Sequence, residues 1–135
     1  MRQAITVVSD VTHVNELLDG SSVNQVHLMP SGGRLRLDLE LTRACRELQT
    51  VVRRGFMTKA KTPWIKCRLS LGSITEATVE RVADTGVASA PLLSCEAVPG
   101  GYTLVVINHD GLQLSLRLEQ LDGHFVDVGN PIQSP

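Results

Sequence analysis

Histidines and cysteines are the residues of this chain that could support acid–base, nucleophilic or metal chemistry. The 135-residue sequence holds three cysteines and four histidines: Cys45, Cys67, Cys95, His13, His27, His109 and His124. No histidine lies at a ligand spacing from another histidine or from a cysteine, whereas zinc sites need short spacings such as Cys-x2-Cys or His-x3-His. We therefore expect no metal site and no cofactor.

The motifs of common enzymes are absent as well. His109 lies beside Asp110, which resembles an orienting pair for proton transfer. However, Asp110-Gly111 is the strongest short hairpin signal, so both residues are expected to form a turn. Ser31-Gly32-Gly33 lacks the flanks of a nucleophile elbow and leads into a strand rather than into a helix. The sequence predicts a protein without catalytic residues.

Charge is distributed very unevenly along the chain. The segment 34–68 holds ten basic residues against three acidic ones, a net charge of +7. The rest has three basic and eleven acidic residues, a net charge of −8, and the two parts give the overall −1. The basic residues of the segment are Arg34, Arg36, Arg43, Arg46, Arg53, Arg54, Lys59, Lys61, Lys66 and Arg68.

Three interpretations of this asymmetry compete. In the first, a basic strand predicted at 64–71 lies beside acidic neighbours after folding, and the charges form ordinary surface pairs. In the second, a basic surface serves self-association or binds an acidic protein partner through electrostatic complementarity. In the third, the stretch 53–64, with Phe56 and Trp64 among its cations, binds single-stranded nucleic acid. The pI of about 6.4 lies below the basic range that is typical of nucleic-acid-binding domains.

The second interpretation is the one we favour. The sequence predicts a non-enzymatic protein-interaction or regulatory module with a basic surface from residues 43–68, and single-stranded nucleic acid is the alternative partner. A further alternative is a small apolar ligand inside a β-barrel. The predicted contact residues are Arg53, Arg54, Lys59, Lys61, Trp64, Lys66 and Arg68.

Two leucine stripes must build the scaffold that positions these residues. Leucines alternate with polar residues over 35–41 and again over 112–118, which places four leucines on one face of each strand. The first stripe is predicted to pair as a hairpin with 23–29 across Pro30-Ser31-Gly32-Gly33. The second is predicted to pair with 102–107, where Leu104 to Ile107 are apolar at every position. These two hairpins are expected to form the core, face to face or side by side.

The other elements follow from the same reading. Helical spacing of apolar residues predicts one helix over 9–19, capped by Ser9 or Thr12. The same spacing favours another helix over 43–54, although Thr50-Val51-Val52 would also suit a strand. Residues 55–62 and 84–90 are expected to be loops. Further strands are predicted at 5–8, 64–71, 74–82, 92–98 and 124–128. In strand 64–71, Ile65, Cys67, Leu69 and Leu71 are predicted to face in, and Lys66, Arg68 and Ser70 to face out.

Eight or nine short strands with frequent turn signals predict a mainly β fold. We expect an antiparallel β-sandwich or a partly open barrel with one or two short helices, or an α+β fold if the helices pack on one face. One domain, 1–128, and a loose tail, 129–135, are expected. The three widely spaced cysteines imply no disulfide framework, and without a signal peptide or a membrane-spanning run the expected location is the cytoplasm.

Overall fold

A computed structural model describes residues 2–55, 57–81, 92–108 and 112–132. Ten strands, one α-helix and one 3-10 turn form in this part of the chain. In order, they are β1 (Arg2–Ile5), α1 (Val8–Leu17), β2 (Ser22–Ser31), β3 (Arg34–Ala44), the 3-10 turn (Arg46–Leu48), β4 (Thr50–Arg54), β5 (Met57–Lys61), β6 (Trp64–Arg81), β7 (Leu93–Val98), β8 (Gly101–Asn108), β9 (Leu112–Leu118) and β10 (Gly123–Ile132).

Strand β6 organises the sheet, because both leucine-striped strands pair with it. Ile74 is opposite Leu35 of β3 on one edge of β6 and opposite Leu118 of β9 on the other. Strand β10 pairs with the same edge of β6 as β9 does, and there Gly123 is opposite Leu71. Two sets of antiparallel strands therefore share β6: β2-β3-β6-β10-β1 and β6-β9-β8-β7.

The sheet curls where the ladders on both sides of β6 are interrupted. Between Leu71 and Ile74 the pairing with β3 shifts register. Here Ser73 adopts a left-handed φ of 57°, and the Gly72 N–H donates to the Asp122 carbonyl at 2.8 Å. Bulges of this kind increase local twist. The resulting mainly β, antiparallel, curled half-barrel confirms the predicted partly open barrel.

The leucine stripes form the core, as predicted. Helix α1 lies against β1 and β7 and inserts Val11 and Val14 between the two sets of strands. Burial of each leucine stabilises the fold by about 1.5–3 kcal/mol before chain entropy is counted. The buried residues of the two stripes are Leu37, Leu39, Leu41, Leu114, Leu116 and Leu118.

Strands β2 and β3 form the predicted hairpin. Their turn consists of Gly32 and Gly33, with φ of 58° and 79°. Positive φ at both central residues defines the two-residue turn that matches strand twist, and glycine adopts it without a steric penalty. Ser31 and Arg34 close the hairpin, so the register of the first leucine stripe starts from this turn.

Helix α1 confirms the predicted helix, but the predicted cap is wrong. The helix begins at Val8, and neither Ser9 nor Thr12 precedes it. Instead, the Asp10 carboxylate accepts hydrogen bonds from the backbone N–H groups of Thr6 and Val7, at 3.0 and 3.2 Å. An acidic residue in the first turn can satisfy free N–H groups by reaching back in this way.

The second predicted helix, 43–54, is wrong. Strand β3 continues to Ala44, which is opposite Trp64, and after the short turn the chain forms β4. Strand β4 pairs with β5, which occupies most of the expected loop 55–62. Long-range pairing with β6 overrides the weak helical pattern here, because the residues involved also suit strands.

Two further boundaries differ from expectation. The strands predicted at 64–71 and 74–82 are one strand, β6, which bends at Gly72 and Ser73 without ending. Strand β10 extends to Ile132, so the tail expected from Gly129 is wrong for residues 129–132. The predicted loop 84–90, the His109-Asp110-Gly111 turn and residues 133–135 lie outside the described residues.

Candidate protein-interaction surface

Three of the predicted contact residues lie on one face of β6. Trp64, Lys66 and Arg68 alternate with the buried Ile65, Cys67 and Leu69, so they point away from the core. Trp64 is half-buried, whereas Lys66 and Arg68 are exposed. The predicted outward direction of the two cations is therefore confirmed.

Two apolar residues of β10 lie beside them on the same face. Val128 is opposite Lys66, and Ile132 is opposite Trp64. Their exposed fractions are 44% and 46%, which is high for aliphatic side chains in a strand. We call Trp64, Lys66, Arg68, Val128 and Ile132 the basic–apolar patch.

Neither apolar member of this patch is among the contact residues predicted from the sequence. In the alternation Phe125-Val126-Asp127-Val128, the core residue Phe125 and Val128 point to opposite faces of the strand. The outward direction of Val128 was therefore predictable from the sequence. Ile132 lay in the segment that was expected to be a tail. Only the pairing of β10 with β6 shows that both residues adjoin the cations.

The remaining predicted contact residues lie on the β4–β5 hairpin. Lys61 is exposed and pairs with Thr50. The backbones of Arg53, Arg54 and Lys59 pair within the same hairpin, opposite Thr58, Met57 and Val52, while their side chains lie outside the described part of the structure. The structure thus brings together Trp64, Lys66 and Arg68 on one face of β6.

Ion pairs neutralise part of the positive charge of segment 34–68. Among the described side chains, five basic residues of the segment form ion pairs, and four of these arginines are at the surface, as the first interpretation expects. Three of their acidic partners come from outside the segment. The pairs are Arg34–Glu119, Arg36–Asp38, Arg46–Asp19, Arg68–Glu40 and Arg43 with both Asp127 and Glu47. Among the described residues, Lys61 and Lys66 form no ion pair.

Arg43 is the exception in this set because it is buried. Its side chain is 1% exposed, on the leucine face of β3, and its Nε and Nη2 donate to the two carboxylate oxygens of Asp127 at 2.9 and 2.8 Å. Nη2 also donates to Glu47 at 2.7 Å. The hydrogen bond from Arg43 lowers the pKa of Glu47 to about 2. The hydrogen bond to Asp127 raises the pKa of Arg43, so the guanidinium stays charged.

This ion-pair cluster supports the patch from beneath. Asp127 precedes Val128 and is opposite Cys67, while Arg43 is opposite Ile65. The bidentate pair therefore links β3 to β10 across β6, directly under the basic–apolar patch. Bidentate arginine–carboxylate pairs fix geometry as well as charge. The register that places Val128 beside Lys66 is held by this contact.

A groove runs beside the patch on the outer face of the sheet. It encloses about 430 Å³, a volume within the range of natural binding clefts. Lys66, Arg68 and Val128 of the patch form one side, and Asn24, Gln25 and Glu40 form the other. A side chain of a bound segment can enter this groove while the rest of the segment covers the patch.

A row of polar residues crosses the same outer face but lacks the arrangement of a nucleophile. His27, Asp38, Ser70 and His124 are direct neighbours on four adjacent strands. The Ser70 hydroxyl donates to Asp38 at 2.6 Å, and Ser70 is 3% exposed, so it points outward as predicted but is buried. An activated serine needs a base that is itself oriented by an acid. Here Ser70 donates its hydrogen bond directly to Asp38, and no base lies between them.

The thiols at the other face are poor nucleophiles for a different reason. Cys45 and Cys67 are both 2% exposed. Burial raises the pKa of Cys67 to about 12 and also raises the pKa of Cys45. The thiolate is the reactive form, so both groups remain protonated and inert near neutral pH.

In residues 2–55, 57–81, 92–108 and 112–132, no three His, Cys, Asp or Glu side chains group closely enough to hold a metal ion. Within those same ranges, no helix has both the length and the apolar character needed to span a bilayer. Comparisons with protein-family models, with curated proteins and with solved structures give no match to this chain.

Proposed function

We propose that this chain is a non-catalytic, cytoplasmic protein-interaction module that binds an acidic, partly apolar segment of another protein on its basic–apolar patch. One observation carries the proposal. Two outward-facing cations, Lys66 and Arg68, lie beside the exposed Val128 and Ile132 and the half-buried Trp64 on adjoining strands. Apolar anchors surrounded by charge are typical of protein contact sites.

The cations of the patch are available to a partner. Arg68 contacts Glu40 at 3.7 Å, and both side chains are nearly half exposed, at 48% and 43%. Such surface pairs contribute about 0–1 kcal/mol, so Arg68 can exchange its partner at little cost. Lys66 forms no ion pair within the described residues. The carboxylates of an acidic segment would form ion pairs with both cations, while its apolar side chains cover Val128 and Ile132.

The apolar members of the patch favour a protein over single-stranded nucleic acid. Non-specific binders of single strands stack bases on several aromatic rings. The described patch offers one ring, Trp64, and two aliphatic side chains, which match apolar residues of a peptide and cannot stack on bases. The acidic Glu40 at the edge of the groove also opposes a continuous phosphate backbone.

A ligand inside the barrel is less well supported than a surface partner. Leu37, Leu39 and Leu69 are 0–1% exposed and belong to one continuous apolar cluster that includes helix α1 residues Val11 and Val14. The leucine faces pack against each other and against the helix. The groove with an opening to solvent lies on the opposite, outer face.

The proposal is tested with synthetic peptides and NMR. The probes are a twelve-residue peptide alternating Glu with Leu and Phe, the same peptide with Lys in place of Glu, and a single-stranded oligothymidine. The acidic peptide is expected to shift the amide signals of Trp64, Lys66 and Val128, with an affinity that falls as salt rises. The lysine peptide should not bind.

A charge-reversal pair provides the control. K66E/R68E is expected to lose peptide binding at least tenfold, since each contact of about 1.4 kcal/mol corresponds to a factor of ten. R81E reverses an exposed arginine at the far end of the same strand and should bind as the wild type does. Binding of the oligothymidine alone would support the nucleic-acid alternative. No acidic-peptide shifts at the patch, or equal loss in R81E, would overturn the proposal.

A further inference from the structure

Strand β2 is an edge strand without charge. Among the described strands it pairs only with β3, and its ten residues, Ser22–Ser31, include no Asp, Glu, Lys or Arg. Val26, Leu28 and Met29 are 42%, 39% and 39% exposed. Edge strands usually carry charges or prolines that prevent pairing with other chains. Here the bulge near Asn24 and Pro30 lie at the two ends, and residues 25–29 between them include neither a charged residue nor a proline.

We propose that a second copy of this chain pairs with β2, antiparallel and symmetric about His27, so that two sheets join into one. A two-fold axis through the sheet would place each residue of one β2 opposite a residue of the other. With His27 opposite His27 of the second copy, Val26 is opposite Leu28, and Gln25 is opposite Met29. Both sheets then keep their apolar faces on the same side.

The backbone of β2 is oriented for this register. In a two-residue hairpin closed by Ser31 and Arg34, the next pair, Pro30 and Leu35, is not hydrogen-bonded. Pro30 has no N–H and is tolerated where that position points away from the neighbouring strand. Backbone groups alternate in direction, so Val26 and Leu28 also point their N–H and C=O groups to the free edge. These two residues are the ones that face each other in the proposed dimer.

The side chains suit the same arrangement. On the inner face, Val26 of each copy would contact Leu28 of the other, so that four exposed aliphatic side chains are partly shielded from water. On the outer face, β3 carries two positive and then two negative residues in order: Arg34, Arg36, Asp38 and Glu40. Antiparallel pairing places the positive end of one β3 level with the negative end of the other, about 14 Å away across the two β2 strands. The cross-strand row that begins at Arg36 passes through Met29 and then through Gln25 of the second copy. It ends at Glu40 of that copy.

This inference is independent of the proposed function. The five residues of the basic–apolar patch lie on β6 and β10, which are separated from the free edge of β2 by β3. The groove beside the patch reaches β2 at Asn24 and Gln25 on the outer face, whereas Val26 and Leu28 of the dimer contact lie on the inner face. A dimer joined at β2 would present two patches on one continuous face. Loss of dimerisation therefore leaves peptide binding by each protomer intact, and loss of the patch leaves the dimer intact.

Sedimentation velocity over low-micromolar to near-millimolar concentrations provides the first test. The wild type is expected to shift from monomer to dimer. L28K places a charge on the free edge and is expected to raise the dimer dissociation constant about tenfold or more, equivalent to about 1.4 kcal/mol. V79K changes an aliphatic residue of β6 that is 60% exposed and should dimerise as the wild type does. A wild type that stays monomeric throughout would overturn the inference.

Disulfide cross-linking tests the register without relying on those variants. In a C95S background, H27C should form a disulfide-linked dimer on mild oxidation, because non-hydrogen-bonded antiparallel neighbours lie about 4.5 Å apart at Cα. Q25C is opposite Met29 in this register and should remain monomeric. Cross-linking of Q25C but not H27C, or of both equally, would contradict symmetry about His27.

Discussion

Arg43 and Asp127 are 84 residues apart in the chain and meet in a bidentate ion pair beneath the sheet, with N···O distances of 2.9 and 2.8 Å. Their exposed fractions, 1% and 8%, show that the pair is shielded from water. A charge buried without its partner is strongly destabilising, whereas an intact pair roughly balances its own desolvation. The pair therefore stabilises the registers in which β3 and β10 pair with β6.

Removal of the buried guanidinium should destabilise the fold. R43M leaves Asp127 buried without this partner, so we expect the free energy of unfolding to fall by about 3–5 kcal/mol in urea titrations. R46M is the matched control, because Arg46 is 54% exposed and contacts Asp19 at 3.5 Å. Its effect should stay within about 0.5 kcal/mol. Equal effects of the two changes would contradict the role of Arg43.

The same cluster predicts a specific acid sensitivity. The pKa of Glu47 is about 2 in the folded protein, below its ordinary 4.5, because Arg43 donates to the carboxylate. A lowered folded pKa means that the contribution is fully present above pH 4.5 and is lost as the pH falls toward 2. The Glu47 side chain is 45% exposed, so screening limits the contribution to about 1 kcal/mol.

Unfolding measured at several pH values tests this sensitivity. E47Q lacks the titrating group, so its free energy of unfolding should decline less between pH 4.5 and 2 than that of the wild type. Above pH 4.5 the difference between the two proteins should be constant. A difference that instead changes between pH 6 and 8 would assign the effect to another group.

Leucines of the first hairpin should differ sharply in their effect on stability. Leu39 is 0% exposed, in the middle of the β3 stripe, and L39A is expected to cost about 2–5 kcal/mol of unfolding free energy. Leu28 on the free edge of β2 is 39% exposed. At protein concentrations where the chain is monomeric, L28A should cost less than about 1 kcal/mol. Similar losses in both variants would contradict the solvent-exposed edge.

The three thiols should react in an order set by burial. Burial raises the pKa of all three thiols, to about 12 for Cys67, but Cys95 is partly exposed whereas Cys45 and Cys67 are buried. Iodoacetamide at pH 7.5 is therefore expected to alkylate Cys95 first, and mass spectrometry of peptides gives the order. In urea all three should react at similar rates. Native labelling of Cys67 ahead of Cys95 would contradict the packed core beneath the patch.

Patterns between near neighbours in the chain were readable from the sequence. The two leucine stripes, the β2–β3 hairpin, helix α1 and the mainly β class all follow from a period of two, a period of 3.6 or a glycine turn. The structure confirms each of them, and also the outward direction of Lys66 and Arg68. These features depend on local geometry, so residues within about ten positions suffice to predict them.

In segment 43–54 the local pattern predicts the wrong secondary structure. Its apolar spacing fits a helix, yet Arg43 lies in a strand because β6 and Asp127 bind it from distant parts of the chain. The same long-range pairing extends β10 to Ile132 and places Val128 beside Lys66. Free energy from such contacts exceeds the small helical preference of a short segment.

The sequence alone thus determined which strands carry an apolar face and where the positive charge is concentrated along the chain. The tertiary structure decided which of those charges are neutralised and which remain outward. Ion pairs and cross-strand neighbours join residues with large sequence separation, and their register follows from the packing of the whole sheet. For that reason the basic–apolar patch, the buried Arg43–Asp127 pair and the uncharged free edge of β2 appear only in the folded chain.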